Sequence, residues 1–195
     1  MKTALKENKK LLKDLIYEEV NGKPIYYKNY KLVIKGKKTT EEVMASSGLH
    51  ALILETIRDY LKKMLKKTYI ILTGEVGVKT ISGYRALDIG IFDFDKIKPY
   101  LNRDKILPIC PIIAIEIDTK AELKEDEYMN YIYDKANDLL NSSTEKVIWI
   151  LTKPKIILIA QKEKSWEIKK WNDDIEVMEN IKFNLNKLLK EVGIW

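Results

Sequence analysis

The chain has 195 residues, of which 46% are hydrophobic and 33% charged, and it carries a formal net charge of +6. Those figures describe a soluble globular chain with enough apolar matter for one core, and they exclude a disordered polyelectrolyte. A single cysteine and a single histidine exclude an internal disulfide and a Cys/His metal cluster. Any metal would be held mainly by oxygen, which favours Mg²⁺ or Mn²⁺.

No apolar run reaches the roughly 18 residues that a membrane helix needs. The opening MKTALKENKKLLKD lacks the apolar core of a signal peptide, so the expected compartment is the cytoplasm, with no membrane partner. The positive charge permits a polyanionic partner. Lysines such as Lys62, Lys63, Lys66 and Lys67 read first as a solvated helix face.

In chain order, residues 4–19 read as a helix, with Leu5, Leu12, Leu15 and Ile16 at helical spacing, ended by Asn21-Gly22. Residues 1–24 are therefore expected to form a helical extension to a domain over 25–195. Ile25-Tyr26-Tyr27 and Leu32-Val33-Ile34 are short strand candidates. Thr39-Thr40-Glu41-Glu42 reads as a helix start, with a threonine N-cap and acids in the first turn. A longer helix follows Ser46-Ser47-Gly48, because Leu49, Ile53, Ile57, Leu61 and Leu65 recur every four residues. Strands are expected over 69–73, 75–81 and 85–94, with breaks at Gly74 and Ser82-Gly83. After a proline-punctuated loop comes the apolar run Ile112 to Ile117, then a helix over 122–141. Strands at 146–151, 156–160 and 166–171 and a closing helix over 183–192 complete an α/β pattern with a mixed central sheet.

The run PIIAIEIDTK is the most informative stretch. Alternation puts Ile113, Ile115 and Ile117 on one face and Ala114, Glu116 and Asp118 on the other. Glu116 then ends a core strand, where an ionised carboxylate is costly unless a cation, a metal or several donors meet it. Asp88 sits in the equally apolar ALDIGIFDF, where Asp is disfavoured unless something satisfies it. On the helix after Glu116, Lys135 shares a face with Tyr128, Tyr131, Ile132 and Leu139. Two carboxylates on neighbouring strands repel unless a cation lies between them, and a divalent metal relieves that repulsion. Blander readings stay open: a turn Asp for Asp88, a core salt bridge for Glu116, a snorkelling stem for Lys135. Lys120 is a rival for the lysine role, Asp118 could add a ligand, and His50, near a helix start, and Glu55, five positions on, are further candidates.

Taken in order, Ser47-Gly48-Leu49-His50, Arg85-Ala86-Leu87-Asp88, Pro111 through Glu116-Ile117-Asp118, Lys135, Lys146 to Leu151, and Trp166 through Phe183 to Leu185 resemble the Uma-type family of restriction-endonuclease-like proteins within the PD-(D/E)XK nuclease superfamily. Leu87 stands where that family usually has proline, and Asp118 where a standard E-x-K has its lysine. The resemblance implies a restriction-endonuclease-like α/β core with a mixed sheet flanked by helices. It implies Asp88 and Glu116 as metal ligands and Lys135 as a catalytic lysine moved from strand to helix. The implied activity is Mg²⁺-dependent (or Mn²⁺-dependent) endonuclease hydrolysis of phosphodiester bonds, in DNA more than RNA, with a homodimer by analogy. The alternative is a catalytically silent relative that binds nucleic acid or a partner. A structural ion-pair core in an adaptor is a third reading.

Overall fold

Asn21 and Gly22 both take positive φ, 51° and 71°. That is the backbone of a two-residue hairpin turn, and Asn-Gly is the pair that favours it. The computed structural model describes residues 9–178 and 180–194. Over this range helix α1 occupies only residues 9–14. The turn joins strands β1 (Ile16–Val20) and β2 (Lys23–Tyr26). The helix expected to run to residue 19 is thus overturned from Ile16 onward, and its first residues, Leu5 included, lie outside the described range. Leu32-Val33-Ile34 is also not a strand. It belongs to the short helix α2 (Tyr30–Ile34), which turns Val33 into the core.

Helix α3 (Thr40–Met44) has the anticipated cap: Thr39 Oγ1 accepts from Glu42 N, and Glu42 reciprocates to Thr39 N. Helix α4 (Gly48–Met64) is capped by Ser47 and buries Ile53, Ile57 and Leu61. The expected strands at 69–73 and 75–81 are one strand, β3 (Tyr69–Lys79), interrupted by a bulge. It pairs with β4 (Gly83–Asp93), which leads into a single helical turn, α5 (Phe94–Ile97). Strand β5 (Ile113–Ile117) is buried throughout. Helix α6 (Tyr128–Asn141) starts six residues later than expected, behind a 3-10 turn. Strands β6 (Lys146–Leu151), β7 (Ile156–Gln161) and β8 (Glu167–Lys170) follow. An unanticipated hairpin, β9 (Ile175–Met178) and β10 (Ile181–Phe183), precedes α7 (Leu185–Glu191).

The main sheet has eight strands in the order β2-β1-β4-β5-β6-β7-β8, with β3 on the other edge of β4. The β5–β6 pair is parallel and the remaining pairs are antiparallel. Two apolar layers sandwich it. Ile113, Ile115 and Ile117 join α4, α7 and the β9 hairpin on one face. Ala114, Val147 and Trp149 join α6 and the N-terminal elements on the other. The alternation read from the sequence of β5 is therefore the alternation observed. No helix among the described residues is long and apolar enough to cross a membrane.

Candidate active site

Strands β1 and β5 pair with the same edge of β4 at different heights. β1 covers Gly83 and Tyr84, and β5 covers Ile89 to Ile91. Between them Ala86 faces a gap with no strand opposite, and side chains fill it. Its N–H donates to Glu18 Oε1 at 3.2 Å, and Lys135 Nζ donates to its carbonyl at 2.7 Å. Without them two buried backbone groups would lose their partners.

From that gap a chain of alternating charge runs through the interior. Asp138 accepts from Arg85 Nε at 2.8 Å, and Arg85 Nη1 reaches Glu18 at 3.0 Å. Lys135 Nζ lies 2.9 Å from Glu18 and 3.0 Å from Glu116. The three protons of Lys135 are thereby committed, to Ala86, Glu18 and Glu116. The rings of Tyr17 and Trp149 flank its ammonium at 5.6 and 5.5 Å. Lys135 and Glu18 are fully buried, and Glu116 is 1% exposed.

Burial pushes the Glu116 carboxyl up to about 8, with the Asp88 charge adding to the rise and Lys135 opposing it. Burial alone would lower Lys135, but the Glu116 and Glu18 carboxylates outweigh it and hold the ammonium protonated well above its usual range. The cluster holds four buried carboxylates, at Glu18, Asp88, Glu116 and Asp138, against two permanent cations, Arg85 and Lys135. One Glu116 oxygen, Oε1, is buried without a hydrogen-bond partner.

Continuing the β4–β5 register past Ile89 and Ile115 sets Asp88 opposite Glu116. Asp88 Oδ2 accepts from Ile117 N at 2.8 Å, and Asp88 Oδ1 lies 3.1 Å from His50 Nε2. His50 arrives there because Ser47 caps α4, with its hydroxyl accepting from His50 N at 3.2 Å. On the other edge of β4, Gly74 and Glu75 together face Asp88, between the pairs Thr73–Ile89 and Val76–Leu87. Both take positive φ, 92° and 58°. This bulge re-aims Glu75 across the sheet edge. There its carboxylate accepts from Tyr27 Oη at 2.6 Å and pairs with Lys120.

A cleft of about 870 Å³ opens beside this cluster, with His50, Asp118, Lys120, Tyr128 and Lys153 in its wall. Asp88 sits against His50, and neither Asp88 nor Glu116 is in the wall itself. The other candidates are distributed as follows. Lys120 reaches the cleft and also donates to Met44 O at 3.0 Å. Asp118 leaves the strand at φ 53° and binds Thr152 through both carboxylate oxygens, at 2.9 and 2.6 Å, so it does not share the Glu116 pocket. Glu55 is exposed and pairs with Arg58 at 2.7 Å, away from the cluster.

The donor set suits a hard cation in part. The free Glu116 oxygen and the excess of acidic over basic side chains are what a divalent ion would satisfy. Among the described residues, however, no three His, Cys, Asp or Glu side chains are arranged as a ready metal site. Glu18 is the member of this buried network that sequence reasoning missed, together with the ion-pairing role of Arg85. The hairpin signal of Asn21-Gly22 would have found it, since a strand over 16–20 aims one of the two adjacent glutamates inward.

No family model matches the chain, and no curated protein matches it. Among solved structures, a protein of Anabaena variabilis ATCC 29413 described as a "putative nuclease belonging to DUF820" is similar, with a TM-score of 0.65 and 15% identity over 89% of both chains. That likeness shows a common architecture: the chain has a nuclease-like α/β fold, a largely antiparallel sheet flanked by helices.

Proposed function

We propose that this protein is a metal-dependent nuclease of the PD-(D/E)XK type that hydrolyses phosphodiester bonds, with DNA as the preferred substrate. One observation carries the reading: the buried carboxyl groups of Asp88 and Glu116 stand opposite one another on β4 and β5, and one Glu116 oxygen has no partner. Burying two carboxyl groups side by side is costly unless a cation lies between them. The fold shared with a structure described as a "putative nuclease" points the same way.

In this reading Asp88 and Glu116 hold Mg²⁺ or Mn²⁺. Bound there, the ion supplies Lewis-acid polarisation of a phosphoryl oxygen and lowers the pKa of a water. His50 fixes the Asp88 carboxylate from the α4 side. Lys135 is a positioning residue, because all three of its protons are committed within the protein. It sets the orientation of Glu116. Lys120, at the cleft wall, is the cation placed to meet a phosphate. Calorimetric titration with Mg²⁺ and Mn²⁺ tests the site, alongside cleavage of a supercoiled plasmid. Asp88→Ala and Glu116→Gln should lose both binding and cleavage, and a wild-type protein that binds neither ion would overturn the reading.

One observation favours a catalytically silent binding module instead. Asp88 is already satisfied by His50 and Ile117 N–H, and Lys135 already bonds Glu116. Such a module would bind nucleic acid with a steep salt dependence and leave it uncut in Mg²⁺.

A further inference from the structure

The cleft does not end at its wall. Met129 lines it and is 53% exposed, and one helical turn further along α6 stands Tyr133, 56% exposed. Tyr133 stacks on Trp166 with ring centroids 5.5 Å apart and planes 29° from parallel. Of the other tryptophans in the described residues, Trp149 and Trp171 are buried. Trp166 is only partly covered, and its partner ring faces solvent. Ile168, 69% exposed on the neighbouring strand β8, extends the same apolar surface.

We propose that the Tyr133–Trp166 stack receives an unpaired base of a single-stranded nucleic acid leaving the cleft. The inference rests on the nuclease reading and gives its substrate class: single strands and flaps in preference to uninterrupted duplex. Two features select that occupant. The approach is rimmed by Lys28, Lys120, Lys124 and Lys153 against Asp118 and Glu125; Lys120 pairs with Glu75 and Lys124 with Glu127, so Lys28 and Lys153 are the lysines that would meet a phosphate there. Those cations suit a sugar–phosphate backbone. The exposed ring offers a π face, which every base can use once unpaired and no base in an intact duplex can reach.

The test is fluorescence anisotropy of a labelled 20-nucleotide oligo(dT) and a 20-bp duplex with the wild-type protein in EDTA, so that cleavage plays no part. Tyr133 is exposed, so Tyr133→Ala is expected to fold as wild type. It should weaken oligo(dT) about tenfold and leave the duplex unchanged, and Tyr133→Phe should restore the wild-type value. Equal affinity of wild type and Tyr133→Ala for oligo(dT) would overturn the proposal. So would equal loss on both probes, or a dimer in sedimentation that Tyr133→Ala dissolves, which would assign the patch to a second copy. If metal-dependent cleavage is still abolished by Glu116→Gln in that case, only the platform falls and the nuclease reading stands.

Discussion

Replacing Glu116 with glutamine separates the electrostatics of the cluster from its packing. Burial holds the Glu116 carboxyl at about 8 in the folded chain, whereas an unfolded glutamate titrates near 4.3. Between those values the folded protein keeps a proton that the unfolded chain has released. Stability therefore falls as pH rises through the window, by up to about 1.4 kcal/mol per unit. From pH 6 to pH 8 the loss amounts to about 2 kcal/mol, or roughly 4–8 °C in Tm for a chain of this length. Glutamine is isosteric, keeps an acceptor for Lys135 Nζ and carries no titrating proton. Glu116→Gln should accordingly melt near the wild type at pH 6 and several degrees above it at pH 8, with a flatter pH profile. Differential scanning calorimetry at half-unit intervals, without divalent metal, reads this directly. Parallel profiles for the two proteins would refute the reasoning. So would a variant destabilised by several kcal/mol at every pH, which would make the ionised Glu116–Lys135 pair the dominant interaction.

Added Mg²⁺ should raise the wild-type Tm more at pH 8 than at pH 6, because binding must displace the Glu116 proton, while Glu116→Gln should show no shift. Lys135→Met strands Glu18 and Glu116 and leaves the Ala86 carbonyl without a donor. A loss of about 3–5 kcal/mol in urea unfolding is expected, and a loss below about 1 kcal/mol would contradict the network. Gly83→Ala places a Cβ 1.9 Å from the backbone oxygen of Glu19. It should open the β1–β4 pairing, displace Glu18, and lower stability by about 3 kcal/mol or more in the same assay. Lys120→Ala should leave the fold intact and reduce the salt slope of nucleic-acid binding by about one.

Strands β4 and β5 were legible because their apolar runs leave few choices. Within them Asp88 and Glu116 stood out as polar groups that nothing local could satisfy. Lys135 followed from helical spacing on α6, and His50 from the family resemblance. Glu18 was hidden by its context: a leucine-rich, lysine-rich stretch precedes it, and a helical period fits those residues until Ile16. A five-residue strand carries too little pattern to compete, and only the hairpin turn betrays it. The bulge at Gly74-Glu75 looked like a strand break, because a residue pair with positive φ punctuates a sequence whether or not pairing resumes beyond it. The hand-over of Asp118 to Thr152 depends on β6 lying parallel beside β5, a tertiary fact with no local trace.

The missing rung beside Ala86 gives the acid–base chain a second duty. Glu18 and Lys135 complete the hydrogen bonding of a central strand, so the domain needs them to close its sheet whether or not it cuts anything. Relatives that had lost all hydrolytic ability would still be under pressure to keep both side chains. Their persistence in a lineage would testify to architecture.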